Sequence, residues 1–238
     1  MKLAVLAFGA HPDDVEMSCG GTLAKLVSEG RKVGIIDLTR GELGSRGTPE
    51  IRDVEAINAA MILGVEVREN LRFRDGFFVE DEAHLYKVIE MIRKYQPEIV
   101  LCNAILDRHP DHGRGAKLVR NALFLSGLIK IETFCEGEKQ AAWRPKQFFH
   151  YIQDHNLVPD FVIDISDFYA QKMASVAAHK SQFYDPHSTE PATYISTPEF
   201  WDFFNTRAHN TGHVIGVKYG EGFMAETPLK VGDLMNLI

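Results

Sequence analysis

The sequence has little cysteine and no excess of positive charge. Cys19, Cys102 and Cys135 are widely spaced and form no CxxC pair, so neither a disulfide framework nor a thiolate zinc site is expected. The formal net charge is -7, whereas a nucleic-acid footprint needs a basic stripe. No apolar run approaches the ~18 residues of a membrane span, and no cleavable leader follows Met1. We therefore expect a soluble cytoplasmic protein that binds neither nucleic acid nor membrane.

Two familiar motifs are also missing from the sequence. Gly20-Gly21 is expected near a helix start, but without G-x-G-x-x-G spacing it is only a weak indication of a phosphate-binding loop. A G-x-S-x-G motif is absent, which disfavours a serine hydrolase.

The chain has 238 residues and 45% hydrophobic content, enough for one full core, so residues 1–238 are expected to form a single domain.

Strands and helices alternate through the first half of the chain, as in βαβ units with a parallel sheet. Residues 3–8 carry no polar side chain, which is typical of a strand covered on both faces. We predict an α/β fold, with a mostly parallel, Rossmann-like sheet flanked by helices. The predicted strands are 3–8, 33–38, 70–73, 99–102, 146–153, 160–165 and 213–219. The predicted helices are 22–28, 51–63, 82–95, 113–125, 167–180 and 198–208, and 183–198 is predicted to be an ordered loop over the site.

Two loops rich in histidine and aspartate follow the apolar strands 3–8 and 99–102. Together they offer His11, Asp13, Asp14, His109, Asp111 and His112. Because the carboxyl ends of parallel strands lie at one edge of a sheet, these loops are expected to converge. Both contain His-Pro, and a residue before proline favours extended backbone.

Imidazoles and carboxylates without thiolates are typical of a catalytic zinc site that has three protein ligands and an open position for water. The remaining groups would then be free for proton transfer. Asp13 and Asp14 could instead only cap the following helix. Two other interpretations stay open at this point. One is a metal-dependent phosphoesterase, which needs ligands for a second metal, and the other is a binding module without catalysis.

Several motifs resemble the LmbE or PIG-L family of zinc-dependent N-acetylglucosamine deacetylases. They are AHPDD followed by CGGTLA, then LTRGE, the Arg52-x-x-Glu55 helix start and HPDHGRG. The resemblance covers nearly the whole chain. Residues 73–78, 179–186 and 216–223 are similar to the branch in bacillithiol biosynthesis, which deacetylates N-acetylglucosaminyl-malate.

The resemblance implies one zinc ion per chain, with iron as a possible occupant in cells, and a homo-oligomer. The implied zinc ligands are His11, Asp14 and His112. The implied catalytic residues are Asp13 as general base, His109 as oxyanion stabiliser or proton donor, and Asp111, which would tune His109. The implied substrate-binding residues are Arg52, Asp75 and Glu42.

These motifs leave the aglycone open, since malate, inositol and sugar-chain conjugates would present the same N-acetylglucosamine. Five basic side chains in loops near the expected site favour an anionic aglycone such as malate: Arg40, Arg46, Arg52, Arg108 and Lys180. Any one of them is ordinarily a solvated or salt-bridged residue, but Arg52 also matches the pocket arginine of the family. The alternative substrate is another N-acetylglucosamine conjugate or an oligosaccharide.

Overall fold

A seven-stranded sheet lies at the centre of the computed structural model, which describes residues 1–237. The strands in chain order are β1 (Val5–Gly9), β2 (Val33–Thr39), β3 (Val67–Phe73), β4 (Ile99–Cys102), β5 (Phe134–Cys135), β6 (Glu138–Lys139), β7 (Gln147–Tyr151), β8 (Phe161–Asp164) and β9 (Gly220–Ala225). Across the sheet the order is β3-β2-β1-β4-β7-β9-β8, while β5 and β6 form a separate hairpin. The strands from β3 to β7 pair in parallel, and β9 is antiparallel to β7 and β8. The predicted α/β fold with a mostly parallel sheet is confirmed.

Six α-helices connect or flank the strands. They are α1 (Asp14–Ser28), α2 (Pro49–Leu63), α3 (Glu82–Tyr95), α4 (Pro110–Ser126), α5 (Tyr169–Ala177) and α6 (Pro198–His213). The side chains of Thr48, Asp81 and Thr197 cap three of them by accepting a backbone N–H from the third residue onward. None of the helices within residues 1–237 has the length and apolarity needed to cross a bilayer.

The core lies on both faces of the sheet because successive side chains of a strand point in opposite directions. All five residues of β1 are buried. Leu6 and Phe8 pack in a cluster with α3 and α4, whereas Val5 and Ala7 pack in a second cluster with α1. The apolar composition of β1 thus reflects its position between two layers of helices.

The predicted start of the first helix is wrong, because α1 begins at Asp14 and contains Gly20 and Gly21. Gly21 serves close packing, since a Cβ there would lie 2.8 Å from Cδ1 of Ile165. Other predicted helix boundaries differ as well: α4 begins at Pro110 instead of residue 113, α2 begins at Pro49 instead of residue 51, and α6 ends at His213 instead of residue 208. Asp14 and His112 are therefore held by first helical turns.

The predicted closing strand 213–219 is also wrong, since His213 ends α6 and residues 214–219 form the turn that leads to β9. The glycines of β9 weaken its strand pattern, but they permit contacts that the fold requires. A Cβ on Gly220 would lie 2.7 Å from the side chain of Val162 on the paired strand β8. Residues 167–180 are helical only in part, and α5 ends at Ala177.

Candidate metal centre and active site

The two histidine-containing loops meet at the carboxyl end of the sheet. β1 pairs in parallel with β4, so the loop after β1 lies beside the loop after β4. The ring centroid of His11 lies 4.6 Å from that of His109 and 5.7 Å from that of His112. The structure therefore brings together side chains about a hundred positions apart, as the parallel arrangement predicts.

Asp14 lies between two histidines. Its Oδ1 is 3.1 Å from Nε2 of His112, and its Oδ2 is 3.6 Å from Nδ1 of His11. The Asp14 residue is only 2% exposed, so solvent does not screen these contacts. The backbone N–H of His11 also donates to Oδ2 at 3.0 Å, which fixes the turn that separates β1 from α1.

Two amides hold the Asp14 carboxylate from the far side. Nδ2 of Asn103 donates to Oδ2 at 2.9 Å, and Nε2 of Gln153 donates to Oδ1 at 3.2 Å. The side-chain oxygen of Gln153 accepts hydrogen bonds from Asn103 and from the backbone N–H of Ala104, each at 3.1 Å. Asn103 follows β4 and Gln153 follows β7, so three strand ends fix one carboxylate.

His112 has its own carboxylate partner. Its Nδ1 lies 2.5 Å from Oδ2 of Asp107, whose Oδ1 accepts the backbone N–H groups of Asp154 and His155 at 2.9 Å. A carboxylate at Nδ1 keeps the imidazole proton on that nitrogen, so Nε2 has a lone pair with which it can ligate a metal. Burial raises the pKa of Asp107, but the bonds from His112 and His155 outweigh it and lower that pKa to about 2.

The donor atoms at this edge of the sheet fit a divalent metal. Among the described residues, two sets of three have all donor atoms within 4.8 Å: His11, His109 and His112, and His11, Asp75 and Asp111. The set implied by the resemblance replaces His109 with Asp14, which lies between the two imidazoles. Imidazole nitrogen and buried carboxylate oxygen without thiolate are ligands of catalytic zinc. The choice among these donors stays a prediction.

Asp13 does not cap α1, although it stands at the N-cap position. Its side chain makes no cap hydrogen bond, and its backbone has a φ of 114°, a conformation that is strained for a residue with a Cβ. The carboxylate is directed towards Arg52, with Oδ2 at 3.4 Å from Nη2. Burial raises the pKa of Asp13 to about 6, while the Arg52 guanidinium opposes this rise.

His109 lines the pocket at the start of α4 in the extended conformation expected before proline, with φ −84° and ψ 124°. Burial lowers the pKa of its imidazole, and the neighbouring His11 and His112 lower it further. The carboxylate of Asp111 is turned elsewhere: it accepts the backbone N–H of Gly76 at 2.8 Å and lies 3.5 Å from Nε2 of His11. The carboxylate of Asp111 thus contacts His11, whereas its backbone N–H donates to Nδ1 of His109 at 3.3 Å. The role of Asp111 in tuning His109 stays a prediction.

Asp75 and Glu42 complete one side of the site. Oδ1 of Asp75 lies 3.1 Å from Nε2 of His11, and its Oδ2 accepts the backbone N–H of Leu43 at 3.0 Å. Glu42 is exposed, and its carboxylate accepts the backbone N–H of Asp75 at 2.8 Å. Asp75 borders the pocket, whereas Glu42 supports the turn that presents Asp75.

These side chains surround an open pocket of about 370 Å³. The walls come from loops after β1, β2, β3 and β4, and from the segment between α5 and α6. The residues that line it are His11, Asp13, Asp14, Met17, Leu43, Gly44, Arg52, Asp75, Gly76, Arg108, His109, Pro110, His112, Gln182 and Ile195. A pocket of this size accommodates a sugar-sized ligand.

Three of the five basic residues near the site are already engaged. Arg40 binds Asp53 at 2.6 Å on the surface. Arg52 donates to the carbonyl oxygens of Gly41 and Pro12 at 3.0 and 2.8 Å, besides its contact with Asp13. Among the five, Arg108 is the one that is both exposed and at the rim of the pocket.

Arg46 is the third engaged residue, and it fixes the loop over the site. It is 4% exposed, and its guanidinium donates to the carbonyl oxygens of Ser181 and Pro191, at 2.8 and 3.2 Å, and to Oγ of Ser188 at 3.0 Å. The same loop presents Gln182 and Ile195 to the pocket. Arg46 therefore determines the shape of a pocket wall, and its burial makes it unavailable to an anionic substrate.

Sequence reasoning gave no role to the residues that hold the site in place: Asn103, Asp107 and Gln153. Each follows the end of a parallel strand within five residues. A polar side chain in such a position is the signal that would have found them, since the carboxyl edge of the sheet is where ligand sites form.

Comparison with known proteins agrees with this architecture. The family model described as "PIG-L: GlcNAc-PI de-N-acetylase" matches residues 6–123. A diacetylchitobiose deacetylase of Thermococcus kodakarensis is 29% identical over 92% of this chain and 81% of its own length. A 1D-myo-inositol 2-acetamido-2-deoxy-alpha-D-glucopyranoside deacetylase of Segniliparus rotundus is 24% identical, over 73% of this chain and 75% of its own.

The solved structures include the conserved protein TT1542 from Thermus thermophilus, with 35% identity, a TM-score of 0.86 and 98% of both chains covered. Together the fold and the relatives define an enzyme that hydrolyses amide C–N bonds, a deacetylase. The chain belongs to the PIG-L family, also called LmbE.

The contacts of Gln153 predict that it supports metal binding. We expect Gln153→Met to weaken metal affinity about 10- to 100-fold, because Asp14 loses one of its two amide donors. Titration against a chelating indicator measures this change. Gln171→Met, whose native amide only contacts the carbonyl oxygen of Ile62, is the matched control. Equal affinity of the Gln153 variant and wild type would contradict this role.

The contacts of Arg46 predict that its removal loosens the loop over the site. In Arg46→Ala, several buried carbonyl oxygens lose their donors, at about 1–3 kcal/mol each. We expect faster protease cleavage within 181–197 and a higher KM. Arg46→Lys should restore these properties only in part, since one ammonium does not span the same acceptors. Arg40→Ala is the control, and cleavage of the Arg46→Ala loop at the wild-type rate would show that other contacts hold it.

Proposed function

We propose that this protein is a zinc-dependent amidohydrolase that removes acetate from an N-acetylglucosamine conjugate, and specifically from N-acetylglucosaminyl-malate in bacillithiol biosynthesis. The observation that carries the proposal is the position of two adjacent carboxylates. Asp14 lies between His11 and His112. Asp13 stands at the N-cap position of α1, but its side chain makes no cap hydrogen bond and lines the pocket instead. This is the arrangement of a metal ligand beside a general base.

The residues have distinct parts in the reaction. His11, Asp14 and His112 would hold the metal, which when bound supplies Lewis-acid activation of water and of the amide carbonyl. Asp13 accepts a proton as the water oxygen bonds to the carbonyl carbon. The C–N bond then breaks, the amine leaves with a proton, and acetate is the second product. Arg52 keeps the Asp13 carboxylate oriented through its contact at 3.4 Å.

His109 faces the pocket, where we assign it to the negative charge on the carbonyl oxygen or to the proton of the leaving amine. Asp75 is the pocket carboxylate suited to the sugar hydroxyls, since it borders the pocket beside His11. Asp111 and Glu42 are positioning residues, which affect the reaction through the side chains that they hold in place. Asp111 positions His11 and the Gly76 turn, and Glu42 positions Asp75.

An anionic aglycone is supported by Arg108. It lies at the rim of the pocket with 47% of its side chain exposed, 3.6 Å from Asp154. Its guanidinium also stacks 4.2 Å from the ring centroid of Tyr194, which keeps it near the opening. A guanidinium in this place can bind a carboxylate through two parallel hydrogen bonds. Arg40, Arg46 and Arg52 do not serve this purpose, because their partners already occupy them.

The two alternative functions differ in what they require. A phosphoesterase with paired metals needs two separate ligand sets, but both sets of nearby donors among the described residues share His11. Another N-acetylglucosamine conjugate, such as a disaccharide, would use the same metal centre and differ only at the rim. A count of one metal ion per chain together with release of acetate would therefore support the deacetylase. The possible substrates differ in the part that would contact the rim of the pocket.

The homo-oligomer and the cytoplasmic location stay predictions. The outer face of α2 is the surface we assign to a second copy of this chain. Four of its side chains at helical spacing are apolar and exposed: Ile51, Val54, Ile57 and Met61. Monomeric proteins seldom leave such a continuous apolar surface uncovered.

The division between metal ligand and base predicts different losses in two variants. Asp13→Asn should keep its zinc and lose roughly 10²- to 10⁴-fold in turnover, because the positioned base is removed. His112→Ala should lose zinc and activity together. Elemental analysis and acetate release measure the two effects. Loss of zinc in Asp13→Asn would mean that Asp13 and Asp14 exchange roles, and full zinc in His112→Ala would remove His112 from the ligand set.

The position of Arg108 predicts a substrate-dependent effect. Arg108→Gln should lower kcat/KM for N-acetylglucosaminyl-malate about 10- to 100-fold and leave the neutral methyl glycoside nearly unchanged, because only the former offers a carboxylate. Lys180→Gln, in an exposed position, is the charge-matched control. Equal losses with both substrates would contradict the anionic aglycone while leaving the deacetylase intact.

A further inference from the structure

A second cavity lies beside the catalytic pocket at the same edge of the sheet. Its volume is about 70 Å³, several times the roughly 15 Å³ that one water molecule requires. Residues of α1, α5, α6 and β9 and of the segment 152–159 line it, with Met17 and Ser18 from α1 and Arg207 from α6. It has room for a small organic ion and none for a sugar.

Among the charged groups that line this cavity, Arg207 is the one that forms no ion pair at 4.0 Å or less within the described residues. Glu221 is neutralised by Nζ of Lys172 at 2.5 Å and by the backbone N–H groups of Gly21 and Thr22 at 3.0 and 2.7 Å. Arg207 donates to the carbonyl oxygen of Gln153, and within residues 1–237 no carboxylate oxygen lies within 4.0 Å of its guanidinium. Arg207 is half-buried; burial lowers its pKa, while the carboxylates of Asp154, Asp107 and Glu221 oppose this change from a distance. An anion in direct contact would add a charge-assisted hydrogen bond that none of these carboxylates makes.

The hydroxyl of Ser18 adds a second polar group. Ser18 is 4% exposed, and its Oγ has no hydrogen-bond partner among the described residues. Buried hydroxyls are ordinarily paired, so an unpaired one beside a cavity points to a ligand. A guanidinium and a hydroxyl that line one cavity can each donate to an oxygen of one carboxylate.

A narrower space lies between this cavity and the catalytic pocket and shares lining residues with both. A gap of about 30 Å³ is bordered by His112 and Arg108 of the catalytic pocket and by Ser18 and Arg207 of the second cavity. The carboxylates of Asp107 and Asp154 also border it, but Asp107 is paired with His112, and Asp154 lies 3.6 Å from Arg108. Met17 borders all three spaces. This space is the direct route that we assign to a small ion released beside His112, since it leads to Arg207 and not to the mouth of the catalytic pocket.

We propose that the cavity between Ser18 and Arg207 binds a small monocarboxylate, the acetate product, after its release beside His112. This proposal rests on the proposed deacetylase function. Acetate carries a negative charge opposite to that of Arg207, and its two oxygens can accept hydrogen bonds. With a single methyl group, it is small enough for the 70 Å³ volume. The amino sugar would leave by the open pocket, so the two products would separate before the amide bond can form again.

Equilibrium dialysis of the zinc-loaded protein with radiolabelled acetate tests this proposal. Acetohydroxamate at saturation occupies the metal, so that only acetate bound elsewhere is counted. We expect about one acetate per chain to remain in the wild type. Arg207→Gln should weaken that binding at least about tenfold, which is the smaller limit for a lost charged hydrogen bond. Arg120→Gln, a surface change at a guanidinium that pairs with Glu226, is the control.

Ser18→Ala provides a second variant for the dialysis measurement if Arg207→Gln fails to fold. The Ser18 variant should weaken acetate binding several-fold. The absence of acetate in the wild type under hydroxamate, or unchanged binding in a folded Arg207 or Ser18 variant, would overturn the proposal. Because dialysis needs no turnover, a protein that binds acetate but releases none from N-acetylglucosamine conjugates would refute the deacetylase function alone. Succinate, which is too large for the cavity, should not displace the label.

Discussion

The carboxylate of Asp14 is the point on which the site depends. It is bound by amides that follow β4 and β7, it lies beside His112 on α4, and it accepts the backbone N–H of His11 after β1. A buried carboxylate is stable only when such partners surround it. The position of this one group therefore requires that the parallel strands keep their register, and it explains why the site lies at their carboxyl ends.

A second buried network holds α1 against the sheet behind the site. Arg68 of β3 donates to both oxygens of Asp37 on β2, at 2.8 and 2.9 Å, and also binds Glu16 on α1. Burial raises the pKa of Glu16, but Arg68 and His179 lower it to about 2. Removing one member of such a network leaves a buried charge without a partner. The first turn of α1, which carries Asp14, is thus fixed from below as well as from the pocket.

The pocket itself is shaped by a segment far from the metal loops in the chain. Arg46 binds backbone oxygens of the loop after α5, so the side chains of Gln182 and Ile195 are held over the site. Chemistry and substrate recognition therefore have separate supports. The strand ends hold the proposed metal ligands and proton-transfer groups, while the loop fixed by Arg46 and the side chain of Arg108 border the opening of the pocket. Such a division allows the rim of the pocket to change while the groups at the strand ends are kept.

Much of this protein was determined by its sequence alone. The apolar run before His11, the alternation of strands and helices, and the two His-Pro loops were sufficient for the α/β fold and for the convergence of the site, because they follow from local patterns and from the geometry of parallel strands. The tertiary structure decided which charges are available. Arg46 and Arg108 look alike in the sequence. In the structure Arg46 is buried and its guanidinium donates to backbone carbonyl oxygens, whereas Arg108 is exposed at the rim of the pocket. It also decided that Asn103, Asp107 and Gln153 hold the site, and that β9 begins at Gly220, since these depend on contacts between distant segments that no local pattern records.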